Sequence, residues 1–312
     1  MPDVSPVLVT GAAGGVGAVG RTIVELLRNR EVPVRAFVHR EDERAEALRS
    51  TGAEVVVGDL AEAGDVIHAM TGCRRMYFGM SVSSRYLQAT VTVAAAAREY
   101  GKLAALVNIS QMTVSQMTLT STTESAQQRQ HWLCEQVFNW SGLPAVHIRP
   151  SVFLENPIFM TIAASSIARS DTMRLPFGSG RTSPIAARDV AEVIAAVLVD
   201  PTSHIGRTYE LTGPRSQDMT AMATEYSAAL GRPITYVDIP LQQWVDQELN
   251  VLGLPEHLRE HVATMARLHR ENRYDRLTHD VEAVIGRQPT SVHGWVAGHA
   301  ALFARPEARR KP

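Results

Sequence analysis

Short apolar runs and longer segments of helical spacing alternate along the first half of the chain. The runs are Val7-Leu8-Val9, Val34 to Val38, Ala53 to Val57, Arg75 to Met80, Leu103 to Ile109 and Ala145 to Ile148. Between them lie Val19 to Leu27, Glu41 to Ser50, a stretch holding Val66, Ile67 and Met70, Leu87 to Tyr100 and Ala126 to Trp140. Strands that alternate with helices build a parallel, doubly wound sheet, because each helix carries the chain back to start the next strand in the same direction. The predicted class is α/β. After residue 150 the pattern is mainly helical: Ile185 to Leu198, Met219 to Leu230, Gln242 to Leu249, Leu258 to His269, Asp280 to Ile285 and Val292 to Phe303. Tyr209-Glu210-Leu211 and Ile234 to Val237 read as strands. The expected division is 1–150 for the sheet and 151–312 for a smaller helical part, partly interleaved with it.

The first turn carries the chemistry. Gly11, Gly14 and Gly17 separate the first strand from the first helix. A helix N-terminus offers free N–H groups and a positive dipole end to an anion, and this spacing fits a dinucleotide diphosphate. Gly11 permits the tight turn, Gly14 the approach of phosphate, and Gly17 the packing of helix on strand. Ala13, Gly15 and Val16 belong to the same cradle. The reading is a dinucleotide-binding sheet over 1–150. At the end of the second strand stand His39 and Arg40. A carboxylate there selects NAD; an arginine pairs with a 2′-phosphate, so Arg40 points to NADP(H) over NAD(H). The alternative is a solvated Arg40 beside an Asp42 that only caps the next helix. Asp59, followed by Leu60, either accepts from the adenine amino group or caps its helix. Gly79 and Met80 end the fourth strand beside the cofactor, and Ser110 ends the fifth. Phe153 follows the last strand and either lines the nicotinamide side or plays a structural role.

Composition narrows the partners. A net charge of -1 argues against nucleic acid. No run approaches the ~20 apolar residues of a membrane span. The N-terminus lacks the basic and apolar regions of a secretory signal. Cys73 and Cys134 match no metal-ligand spacing and read as reduced thiols of a cytoplasmic protein; no metal is expected. The expected partner is a small-molecule substrate, with a homodimer as the oligomeric expectation.

Further motifs run through the chain. They are Thr10 to Gly17, Gly58-Asp59-Leu60, His131-Trp132 ahead of Ser141-Gly142-Leu143-Pro144, and Ile148-Arg149-Pro150 with Phe153-Leu154-Glu155-Asn156. Asp189-Val190-Ala191, Tyr209 to Pro214 and Gly286 to Val292 complete the set. With them the chain resembles the NmrA-like branch of the atypical short-chain dehydrogenase/reductases. The resemblance implies a Rossmann-type NAD(P)-binding domain over 1–150, a mostly helical substrate-binding part over 151–312 and a substrate cleft between the two. It spans quinone reductases, triphenylmethane dye reductases, isoflavone-reductase-like enzymes and cofactor-sensing regulators.

Typical members of the wider superfamily use Tyr-x-x-x-Lys for proton transfer. Here none of the seven Tyr has Lys four residues on; lysine occurs only at Lys102 and Lys311. His131 and Glu135 hold the corresponding spacing. Three readings follow: hydride transfer to a quinone-like or other conjugated acceptor that needs little acid catalysis, an NADP(H) sensor without turnover, or a lyase or isomerase. His131 and Ser110 are the catalytic candidates. Glu135 is a third group with an ion-pair alternative. Met112, Met117, His131, Asn156 and Trp244 are candidates for the substrate pocket. The polar stretch from Gln111 to Ser125 reads as either a mobile flap over the substrate or a plain surface loop.

Overall fold

The computed structural model describes residues 5–15 and 17–305. Val16, expected in the diphosphate cradle, lies outside the described residues. The chain begins β1 (Val7–Thr10), α1 (Val19–Arg28), β2 (Val34–Val38), α2 (Glu43–Ser50), β3 (Glu54–Val57), α3 (Ala63–Met70) and β4 (Arg75–Phe78). It continues α4 (Tyr86–Tyr100), β5 (Ala105–Ile109), α5 (Ala126–Trp140) and β6 (Ala145–Pro150). Then come α6 (Ala164–Ser170), β7 (Thr172–Leu175), α7 (Ala187–Val199), β8 (Thr208–Leu211), α8 (Met219–Leu230) and β9 (Thr235–Asp238). The last helices are α9 (Leu241–Trp244), α10 (Glu256–Arg270), α11 (Asp280–Ile285) and α12 (Val292–Gly298).

Seven strands form one parallel sheet in the order β3-β2-β1-β4-β5-β6-β8. Every residue of the central strands β1 and β4 is buried. Both faces are covered by helices, which is why these strands read as continuous apolar runs. The strand order reverses between β1 and β4. In such sheets ligands bind in the crevice outside the carboxyl ends at that reversal.

One face packs on α1, α7 and α11 through Ile23, Leu27, Val190, Ile194 and Val281. The other packs on α3, α4 and α5 through Met70, Val93 and Phe138. A third apolar core lies in the second half of the chain, around Phe159, Phe177, Met222, Tyr226, Trp244 and Trp295. It carries a two-stranded parallel sheet of β7 and β9. Glu155 ties this core to the first: it accepts hydrogen bonds from the Ala187 amide (3.0 Å) at the start of α7 and from Trp295 Nε1 (2.8 Å) on α12.

Most predicted elements stand within a few residues of their expected ends, and β7 is the addition. β6 runs on through Arg149 and Pro150, which pair with Glu210 and Leu211 of β8. A charge is tolerated there because the Arg149 guanidinium forks onto Glu135 (2.9 and 2.6 Å). The segment after β5 divides in two. Met112, Thr113 and Val114 are buried in a 3-10 turn, whereas Thr118 to Thr123 form a largely exposed loop; Arg273 bonds Glu124 (2.9 Å) while its carbonyl accepts from Gln116 (3.0 Å).

The glycines divide their roles differently from expectation. Gly11 has φ +63°, and a Cβ there would meet the Gly79 carbonyl oxygen at 2.5 Å. Gly17 does not serve the helix–strand contact; a Cβ on it would strike the Cβ of Ala187 at 2.5 Å. The helix-to-turn contact belongs to Gly20, whose Cβ would lie 2.6 Å from the Gly11 carbonyl oxygen. Around Gly15 nothing lies within 4 Å. Gly20→Ala should therefore cost about 1–3 kcal/mol of overpacking, and Gly15→Ala should stay within about 0.5 kcal/mol of the parent. Urea unfolding of the two variants measures both, and equal midpoints would contradict the assignment.

Candidate functional site

The crevice at the sheet reversal is a cavity of about 420 Å³. Nine of the expected cofactor residues line it: Gly11, Ala13, Gly14, His39, Arg40, Asp59, Leu60, Gly79 and Met80. They come from the β1–α1 turn and the ends of β2, β3 and β4. The Thr10 hydroxyl fixes the two sides of the mouth together. It accepts from the Gly79 amide at 3.0 Å and lies 2.9 Å from the Gly79 carbonyl oxygen, to which it donates. Gly14 closes the turn by donating to the Gly11 carbonyl at 3.0 Å.

At the corner beyond β2 the charges sort into tied and free groups. Glu41 is held by Arg49 (2.9 Å). Asp42 caps α2, accepting from the amides of Arg44 (3.0 Å) and Ala45 (3.3 Å), and takes a further bond from Arg44 Nε (3.0 Å). The Arg44 guanidinium holds its carboxyl below the ordinary range. Arg44 also donates to the Ala13 carbonyl (3.0 Å). Arg40 is exposed on the cavity wall and makes no hydrogen bond or ion pair among the described residues. One free cation, with a second one helical turn away, thus faces the cavity, and neither neighbouring carboxylate is free.

Asp59 lines the cavity and does not take its capping alternative. Its carboxylate bonds the Ala61 amide (2.9 Å) and Arg85 (2.7 Å), and these contacts hold its pKa down, the Ala61 amide most. The residue preceding α3 is Glu62, so Asp59 does not cap that helix. Arg44, Ser81, Ser83 and Arg85 line the cavity without having been expected. Arg44 was findable, four residues after Arg40 on a helix start. The serines and Arg85 stand in an irregular segment with no periodic signal.

Other expected residues lie elsewhere. Gly15 and Gly17 belong to the turn but not to the cavity wall. Ser110 ends β5, buried, with its amide bonded to Ile148 and its hydroxyl unpartnered. Phe153 is half-buried and bridges to Ile185. The carboxamide oxygen of Asn156 is taken by the Ile158 amide (3.0 Å). Met112 and Met117 are buried. Trp244, at 0 % exposure, is buried in the second core and is not among the residues that line the cavity at the sheet reversal. Glu135 follows its ion-pair alternative, through Arg149.

His131 lies on α5 with its ring 4.6 Å from that of Tyr86. The Ser83 amide donates to Gln127 Oε1 (3.3 Å), which turns the Gln127 amide group toward His131 Nε2 (3.2 Å). Nε2 is then the acceptor, and Nδ1 carries the proton. That Nδ1 is buried and unpartnered. Burial, and then His261, push the pKa down to about 3. An imidazolium acid at neutral pH is therefore excluded; His131 offers a neutral N–H donor. The described residues contain no group of three or more His, Cys, Asp or Glu that could hold a metal. Both cysteines are free and buried, and no described helix is long and apolar enough to cross a membrane.

The profile of a family described as NAD(P)H-binding matches residues 14–201. An NAD(P)H azoreductase of Xenophilus azovorans is 28% identical over 292 residues, 93% of this chain and 97% of that one. A (4-alkanoyl-5-oxo-2,5-dihydrofuran-3-yl)methyl phosphate reductase of Streptomyces griseus is 28% identical over 300 residues, 96% and 99% of the two chains. In fold, the chain is similar to the NADPH-dependent quinone oxidoreductase of Escherichia coli solved with NADPH. The TM-score is 0.80 at 20% identity, covering 95% of this chain and 99% of that one.

The buried histidines make stability depend on pH. His261 and His269 are pushed by burial to about 4 and about 3, below the ~6.5 of an unfolded imidazole. As pH falls below about 6.5 the unfolded chain takes up protons that the folded chain refuses, so stability is full above that point and declines toward pH ~4. Each group contributes up to about 1.4 kcal/mol per pH unit in that window. The thermal midpoint should drop between about pH 7 and about pH 5, with a shallower slope in His261→Gln. Equal slopes would remove His261 from this account.

Proposed function

The chain belongs to the NAD(P)H-binding family, and within it we propose an NADP(H)-dependent reductase of the NmrA-like atypical short-chain type that passes hydride to a small conjugated or quinone-like acceptor. The single observation that carries the cofactor reading is the corner beyond β2. Arg40 is free there while Glu41 and Asp42 are both occupied. A ribose diol needs a free carboxylate; a 2′-phosphate needs a free cation. Arg44 can add a second guanidinium by exchanging its Asp42 contact for phosphate.

The glycine turn suits the diphosphate, with backbone amides and the α1 terminus facing the cavity mouth. The bound cofactor supplies a hydride, two electrons and one proton, from its reduced nicotinamide. This chain supplies placement. No Tyr-Lys pair is available and His131 stays neutral. Such a site favours acceptors whose reduced form is stabilised by conjugation and completes its protonation from water. Quinones, azo compounds and unsaturated lactones are of this class, in keeping with the names of the relatives. Ser110 and the His131 Nδ1–H are unpartnered groups available to orient an acceptor oxygen or nitrogen.

Fluorescence titration with NADPH and NADH tests the cofactor. Arg40→Ala should weaken NADPH about tenfold or more and leave NADH nearly unchanged, as expected for one lost charge-assisted hydrogen bond. Unchanged NADPH affinity would remove the 2′-phosphate assignment. NADPH oxidation with a panel of quinones, azo dyes and enones tests turnover. Binding without oxidation by any acceptor would favour a cofactor sensor instead.

A further inference from the structure

Gln127, His131 and Glu135 follow one another a turn apart on α5 and so share one face of that helix. Glu135 is spent on Arg149. The other two are joined to the cofactor cavity through backbone. Ser83 lines the cavity, and its amide donates to Gln127 Oε1 at 3.3 Å. A backbone N–H can only donate, so the carboxamide oxygen of Gln127 faces it and the carboxamide nitrogen faces His131 Nε2 at 3.2 Å. Gln130 holds the same segment, donating to the Ser84 carbonyl at 3.4 Å, and the Arg85 amide donates to the Ser83 hydroxyl at 3.1 Å. Gln127 is 4% exposed, so water does not compete for either end. The imidazole is steadied from a third side. Tyr86, fully buried, packs its ring 4.6 Å away and donates its hydroxyl to the Ile109 carbonyl, next to Ser110. The orientation and the proton of His131 are thus both decided, and the resulting Nδ1–H is buried and unpartnered. Such a group calls for an explanation in a folded protein, and a ligand atom supplies one.

We propose that Gln127 is a positioning residue of the reductase: anchored on the cavity wall, it locks His131 as the Nδ1–H tautomer, so that the histidine meets the hydride acceptor as a hydrogen-bond donor and never as an acceptor. The assignment rests on the reductase reading above and narrows its substrate class. The atom that His131 addresses has to offer a lone pair, as a carbonyl oxygen or an azo nitrogen does; an ammonium or an amide N–H at that place finds no acceptor. The imidazole keeps its proton throughout. Hydride from the reduced nicotinamide brings two electrons and one proton to the acceptor, and the second proton comes from water.

The tautomer is read first, in the protein without cofactor. Proton–nitrogen correlation spectra of protein labelled in its histidine rings tell bare from protonated ring nitrogens, and His131→Gln identifies the His131 signals. The parent should carry the proton on Nδ1 alone. Gln127→Glu keeps an acceptor for the Ser83 amide but turns an oxygen toward the ring, so a proton should appear on Nε2. A parent protonated at Nε2, or a Gln127→Glu spectrum identical to the parent's, would overturn the proposal. Turnover then reads the role. Gln127→Leu should lower kcat/KM for a quinone about tenfold, the cost of one misaligned hydrogen bond. In a His131→Ala background the same substitution should cost nothing further, since it acts through the ring. Equal losses in both backgrounds would overturn the positioning role, as would a His131→Ala variant with the turnover of the parent. A parent that oxidises NADPH with no acceptor would instead overturn the reductase reading, whatever the tautomer.

Discussion

The structure depends on how closely the first turn approaches the end of the fourth strand. Gly11 must leave room for the Gly79 carbonyl, and Gly20 for that of Gly11. The Thr10 hydroxyl then clasps the Gly79 backbone from both sides. No side chain larger than hydrogen fits at these contacts without moving backbone. The closeness places the α1 terminus over the sheet reversal, and a cavity opens there because the strands on either side diverge into connections of opposite direction. Cofactor geometry is thus a by-product of backbone packing.

Electrostatics then decides which groups are available. Near the cavity most charges are already satisfied: Asp42, Asp59, Arg44 and Arg85 all have partners, whereas Arg40 does not. Of the described residues, the cavity thus presents one free cation, Arg40, among charges that are otherwise paired. Burial holds His131, His261 and His269 toward the neutral form. Glu135, Arg149, Glu210 and Arg276 form a chain of ion pairs beneath the segment after β5, with Arg276 reaching Ser115 at 2.7 Å. Buried pairs of this kind specify position more than they add stability.

Much of the sheet was readable from the sequence because its strands are buried on both faces, which leaves uninterrupted apolar runs. The glycine turn and Arg40 were readable because backbone conformation and strand ends are local properties. What could not be read depends on distant partners. Asp59 gave no sign of its partner Arg85, twenty-six residues on. Trp244 looked like a pocket residue because an apolar side chain carries no mark of which cavity or core receives it. The segment after β5 looked loose because its polar residues are tied by arginines about 150 residues later. β7 escaped notice because a four-residue strand has too few positions to show a period.

The Glu155 tie has a mechanical consequence. One carboxylate accepts from the first amide of α7 and from the indole of Trp295, so swinging the second core away as a rigid jaw would strip a half-buried acceptor of both partners. A wide hinge motion is thereby disfavoured. The stretch from Thr118 to Thr123, largely exposed and held mostly by short-range hydrogen bonds, lies outside that tie and is the part of the fold that can shift without disturbing it.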